Sequence, residues 1–208
     1  TKQTSGDWES TQTIAPIGVT AGEATYNSIK VSWTPIQYQS GGGGYMVYYS
    51  TTPGSGYTLS GTTADKAADN HTVTGLSADT TYYFVVEAFT DSHVNNPNTV
   101  ISEYSGEVSD VTLIAPTLTV TAPNGGQNWE ALTSQAITWT STGDITDVKI
   151  EYSTDSGATW NTVIASTPNN GTYDWTVPDT PSTDCQVKVS DLGGLDLDTS
   201  DGVFSIAA

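Results

Sequence analysis

Apolar residues recur at every second position in a series of short runs, and that period dictates strands. The runs are Ile29-Val31-Trp33, Tyr45-Val47-Tyr49 and Tyr82-Phe84-Val86-Ala88, then Leu118-Val120, Ile137-Trp139, Val148-Ile150-Tyr152, Val187-Val189 and Val203-Phe204-Ile206. Successive strand side chains point to opposite faces, so each run offers one apolar face to a core and one face to water. No long stretch carries an apolar period of 3.6, and Gly, Asn, Pro, Ser and Thr interrupt the runs every few residues. Short alternating strands split by turn residues predict an all-β chain of antiparallel sandwiches.

The 208 residues allow one large or two small domains. A break falls at Ile114-Ala115-Pro116, where one strand meets proline and another alternating run begins at Thr117. The two halves echo each other: Val31-Ser32-Trp33 precedes Tyr48-Tyr49-Ser50-Thr51, and Ile137-Thr138-Trp139 precedes Glu151-Tyr152-Ser153-Thr154. The expected division is an N-terminal arm or linker over 1–13, a first sandwich over 14–115 and a second over 116–208. The chain has no initiator Met and no leader pattern, as expected of a mature chain or an excised piece.

The first of these halves carries Ala15-Pro16, Val31-Ser32-Trp33 and Tyr45-Met46-Val47-Tyr48-Tyr49, then Gly75-Leu76-Ser77-Ala78-Asp79-Thr80-Thr81-Tyr82 with Phe84, Val86 and Ala88. In these residues it resembles a fibronectin type III module. The resemblance implies a seven-stranded, immunoglobulin-like sandwich in which Leu76 plugs the core and the Tyr82 hydroxyl turns back to backbone, a tyrosine corner. It implies no chemistry, since such modules serve as spacers, adhesion units or accessories. The loop expected to hold an integrin-binding tripeptide reads Asp91-Ser92-His93-Val94-Asn95-Asn96-Pro97 and lacks one.

The second half carries Pro123-Asn124-Gly125-Gly126 with Trp129, Ile137-Thr138-Trp139, Val148-Lys149-Ile150-Glu151-Tyr152-Ser153, Gly171-Thr172-Tyr173-Asp174-Trp175-Thr176-Val177-Pro178 and Val203-Phe204-Ser205-Ile206. It is similar to a β-sandwich domain of secreted bacterial enzymes and surface proteins, related to the Kre9/Knh1-like cell-wall family. Together the two resemblances imply tandem immunoglobulin-like sandwiches. Within the second, Ser153, Asp155, Gly157 and Trp160 fit the Asp-box pattern of sialidase propellers. Such a turn needs Gly at positive φ, an Asp to accept backbone N–H groups and a Trp beneath, so a structural hairpin is expected there.

Charge excludes several partners. The chain has 23 Asp and Glu against 5 Lys and no Arg, a formal net charge of -18. Gripping phosphates requires a basic stripe, so nucleic acid is excluded, and anionic membrane surfaces are disfavoured on the same ground. No apolar run approaches the roughly 20 residues of a spanning helix. The acids divide evenly, 11 in the first 115 residues and 12 in the rest, so acidity belongs to both surfaces and suits an extracellular or cell-surface module. The Gly41-Gly42-Gly43-Gly44 run reads as a flexible loop before a strand, because a phosphate cradle would need a following helix.

Catalytic constellations are not found. His71 and His93 both fall in the first half, no nucleophile elbow occurs, and Cys185 is a lone thiol with no adjacent base, expected to be buried. Division into two units of about 100 residues argues against a single-sandwich glycosidase. Two ligand classes remain as candidates. Alternation turns Met46, Tyr48, Tyr83, Val85 and Phe89 outward from one sheet, and Tyr48, Tyr83, Phe89, Trp129 and Trp8 are the candidate contact aromatics for polysaccharide or another surface protein. The carboxylates of Asp191, Asp196, Asp198 and Asp201 form a candidate calcium loop without the spacing of an EF-hand. Apart from calcium, no cofactor is indicated.

The expected function is a non-catalytic spacer and adhesion region of a secreted or cell-surface prokaryotic protein. The alternatives are a carbohydrate-binding accessory region of a polysaccharide-degrading enzyme and a self-associating subunit of an extracellular filament.

Overall fold

The structure, a computed structural model, describes residues 14–37, 39, 41–94 and 97–208. The arm expected over 1–13, and Trp8 within it, lie outside the described residues. The chain divides into two compact units, Thr1–Leu113 and Ile114–Ala208. Every regular element among the described residues is a strand.

The first unit contains β1 (Ile17–Gly22), β2 (Ser28–Thr34), β3 (Gly44–Ser50), β4 (Thr58–Thr62), β5 (Asn70–Thr74), β6 (Thr81–Thr90), β7 (Val100–Ile101) and β8 (Val108–Val111). One sheet runs β1-β2-β5; the other runs β4-β3-β6, with β7 and β8 both pairing β6. The alternating runs meet between the sheets, where Ile29, Val31, Trp33, Tyr45, Val47, Tyr82, Phe84, Val86 and Ala88 form one buried cluster with Val73 and Leu76. Buried rings with a polar tip need partners. Trp33 Nε1 donates to the Ala68 carbonyl at 3.0 Å, and Tyr45 Oη donates to the Lys66 carbonyl while accepting the Ile36 N–H. The tyrosine corner is present: the Ser77 N–H donates to Tyr82 Oη at 2.9 Å, beside a buried Leu76.

Two features depart from the expected plan. The last strand of the sandwich is split into β7 and β8, giving eight strands instead of seven. Across the gap, Ser102 and Ser105 keep the ladder closed: each accepts a β6 N–H on its Oγ (Ala88 at 2.9 Å, Val86 at 3.0 Å) and donates its own N–H to the same residue's carbonyl. The glycine run is also not slack along its length. Gly43 has φ of 101° and lies so close to β6 that a Cβ there would sit 2.1 Å from the Phe89 carbonyl oxygen, so only glycine fits.

The second unit contains β9 (Thr117–Ala122), β10 (Asn128–Glu130), β11 (Ser134–Thr142), β12 (Asp147–Ser153), β13 (Asn161–Pro168), β14 (Thr172–Thr176), β15 (Ser182–Asp191), β16 (Leu197–Thr199) and β17 (Phe204–Ala207). One sheet runs β14-β11-β9 and the other β10-β17-β15-β12-β13, with β16 also on β15. Val120, Ile137, Trp139, Val148, Ile150, Trp175, Cys185, Val187, Val189 and Phe204 lead its buried cluster. Trp139 repeats the role of Trp33, its Nε1 donating to Asn169 Oδ1 at 2.7 Å. The serine device recurs as well: Ser200 Oγ accepts the Val187 N–H at 2.9 Å where the sequence leaves β16.

Candidate functional site

The outer face of the β4-β3-β6 sheet gathers the aromatic residues of the first unit. On β6, Tyr83, Val85, Glu87 and Phe89 share this face, and on β3 the register sets Met46 opposite Glu87, Tyr48 opposite Val85 and Gly44 opposite Phe89. The structure therefore brings Tyr48, Tyr83 and Phe89 onto one surface, each half-buried. Val85 was expected to stand exposed there and is instead only 2% exposed, on the face where Tyr48 stands opposite it.

Two further tyrosines complete the cluster. The interruption between β7 and β8 throws Tyr104 outward, and its ring packs edge-on against Tyr48 with centroids 5.4 Å apart. On its other side it meets Tyr57, again at 5.4 Å. Tyr104 is 44% exposed, and Leu59, opposite Tyr48 on β4, is 48% exposed. Sequence reasoning missed Tyr57 and Tyr104 because neither lies on an alternating run. The available signal was Ser102-Glu103-Tyr104-Ser105, two serines able to replace strand backbone around a residue that must then point out.

Carboxylates lie near these phenols. Burial, then the hydrogen bond to Glu87, pushes Tyr48 up to about 12, and burial with the Glu107 hydrogen bond does the same to Tyr57. Glu107 Oε2 accepts both the Tyr57 hydroxyl and the Gly54 N–H. The Tyr48 hydroxyl also contacts Met46 Sδ at 3.5 Å. The arrangement is an aromatic surface with acidic groups beside the rings.

Trp129 does not belong to any such surface. It is 9% exposed, packed against Phe204 at 5.1 Å and Trp175 at 6.1 Å. The reason is the parallel pairing of β10 with β17, which aligns Trp129 with Ile206 so that both face the core. A three-residue strand is too short for alternation to reveal that.

The four acids of the candidate calcium loop are not brought together either. Among the described residues no group of three or more His, Cys, Asp or Glu is placed to hold a metal. Each carboxylate accepts a nearby donor: Asp191 the Leu195 N–H, Asp196 the Leu118 N–H, Asp198 the Val120 N–H and Asp201 the Asn124 side-chain amide.

Ser153, Asp155, Gly157 and Trp160 sit in the turn joining β12 to β13. Ser156 and Gly157 both have positive φ, 56° and 85°. Buried Ser153 Oγ accepts the Gly157 N–H and donates to Asp155 Oδ1, while Asp155 accepts the Thr159 N–H and hydroxyl. These bonds, the Thr159 hydroxyl first, hold the Asp155 carboxyl down at about 2. The Trp160 ring lies beside Gly157 and carries the Lys188 ammonium 4.3 Å from its centroid. Lys188 and Lys149 both pair with Glu151, at 2.8 and 2.6 Å.

The groups with reactive potential are occupied structurally. Cys185 is fully buried and burial pushes its thiol up. His71 Nε2 lies 3.1 Å from Ser60 Oγ, and burial pushes its imidazole down.

These features define the chain as tandem all-β sandwiches of the immunoglobulin-like class, the first with a tyrosine corner. Residues 15–103 match the family model of the fibronectin type III domain, which confirms that resemblance for the first unit. Fibronectin type III domains are generally non-catalytic. No curated protein matches the chain. Among solved structures, the chicken CNTN1 FN1–FN3 domains are 18% identical, with 94% of this chain and 67% of that one covered and a TM-score of 0.40. A two-domain fibronectin type III segment from chicken tenascin is 14% identical, with coverage of 93% and 99% and a TM-score of 0.40. A beta-1,2-glucanase from Parabacteroides distasonis is 20% identical over 49% of this chain and 13% of its own, with a TM-score of 0.38.

Proposed function

We propose that the chain is a non-catalytic spacer and adhesion region of a secreted or cell-surface prokaryotic protein, with the outer face of β3 and β6 as its contact surface. The observation that carries the proposal is the Tyr48–Tyr104–Tyr57 cluster, part-exposed on a sheet face, with the Tyr57 hydroxyl held by Glu107. Rigid rings supply contact area at low entropic cost. The second unit is read as a Kre9/Knh1-like sandwich whose Asp-box turn is structural, a reading supported by the motif order and by the internal bonding of residues 153–160. Beads coated with the full chain are expected to adhere to envelopes of the producing cells. Tyr104→Ala with Leu59→Ser is expected to abolish adhesion while far-UV circular dichroism stays unchanged; undiminished adhesion would overturn the assignment to this face.

A second reading, a carbohydrate-binding accessory region, is favoured by the same rings standing among hydrogen-bonding carboxylates. Affinity electrophoresis through gels containing soluble polysaccharides tests it. Retardation that disappears in the Tyr104→Ala, Leu59→Ser variant supports it, and unretarded migration in every gel removes it.

A further inference from the structure

The outer face of β3 and β6 has a charge character as marked as its aromatic one. Glu87 and Glu107 stand among Tyr48, Tyr57 and Tyr104: Glu107 accepts the Tyr57 hydroxyl, and Glu87 lies on β6 opposite Met46, on the face that Tyr48 shares. The ion pairs of Lys30, Lys149 and Lys188 go to other carboxylates, Glu23 and Glu151. Five Lys and no Arg against 23 acids make the chain a poor partner for itself, because a second copy would bring like charge to the same patch.

We propose that this face docks a cationic polypeptide segment, bearing arginine side chains that stack on the tyrosine rings and pair with Glu87 and Glu107. This rests on the reading of the face as a contact surface and names the partner's chemistry. A guanidinium satisfies both parts of the patch at once: its plane lies on an aromatic face, and its edge donates to a carboxylate. Lys188 over Trp160, 4.3 Å from the ring centroid, shows the same chemistry already in use within the second unit. Leu59, 48% exposed opposite Tyr48, adds an apolar anchor for the stem of the incoming side chain.

The test is a ¹⁵N-resolved titration of the full chain with a short arginine-rich peptide, the same peptide with citrulline for arginine, and neutral oligosaccharides. The expected result is shift changes confined to β3, β6 and residues 102–107, present with arginine and absent with citrulline. Glu107→Gln and Tyr104→Ala are each expected to weaken the arginine peptide about tenfold. Leu59→Ser, which leaves all charges in place, is expected to weaken it too. Shifts spread over the acidic surfaces of both units, indifferent to these variants, would overturn the proposal as mere charge attraction. Oligosaccharide shifts at this face without arginine-peptide shifts would overturn it while leaving the contact surface standing. No shift at this face with any of the probes would overturn both.

Discussion

The carboxylate of Asp198 accepts the backbone N–H of Val120 at 2.7 Å, and two residues earlier Asp196 accepts that of Leu118 at 2.6 Å. Leu118 and Val120 lie on β9, whose other edge pairs with β11. Asp198 on β16 and Asp196, the residue just before that strand, thus stand in for a missing partner strand and satisfy two amides on an open edge. Such edges otherwise invite pairing with another chain.

Asp198→Ala is expected to lower the stability of the second unit by about 2 kcal/mol, the range for a charge-assisted bond to a backbone amide left unsatisfied. Asp198→Asn, which keeps an acceptor oxygen, is expected to cost less. Urea unfolding followed by tryptophan fluorescence checks both, with the ordering of the two variants as the decisive result.

Tyr82→Phe removes the acceptor of the Ser77 N–H and nothing from the ring packing. A loss of about 1 kcal/mol in the first unit is expected. Unchanged urea midpoints would show that water replaces the hydroxyl at no cost.

Asp155 gives an acid-side prediction. Its folded pKa is held below the ordinary 3.8, at about 2, so its contribution is present above about 3.8 and is lost as pH falls through about 2. Carboxyl carbon NMR is expected to show Asp155 still ionised at pH 3. Thr159→Val, which removes the leading hydroxyl donor, is expected to move the midpoint upward.

The tyrosines give the alkaline counterpart. Tyr48 and Tyr57 are raised to about 12, first by burial and then by Glu87 and Glu107. A raised folded pKa means a contribution fully present below the unfolded value near 10 and lost as pH rises through about 12. Spectrophotometric titration is expected to show a late-titrating group, and Glu107→Gln is expected to bring Tyr57 forward.

Local chemistry carried far in this chain. The runs through Trp33, Tyr45, Phe84, Trp139, Ile150 and Val189 are strands with those side chains inside, because a period of two depends only on neighbours along the chain. The turn at Ser156-Gly157 and the corner at Tyr82 follow from residue types at fixed short offsets. Where the partner is distant in the chain, local pattern is silent: Trp129 is buried because β17 aligns it with Ile206, and the carboxylates of Asp196, Asp198 and Asp201 accept donors from Leu118, Val120 and Asn124.

Alternation along short runs determined by itself that the chain is all-β and which side chains of the long strands enter the two cores. It did not determine what stands on the outer face of β3 and β6. Tyr104 reaches Tyr48 across 56 positions of sequence, only because Ser102 and Ser105 let the last strand break without leaving β6 amides unpaired. Strand periodicity is a property of adjacent residues; the aromatic surface is a property of register between strands far apart in the chain, and only folding sets that register.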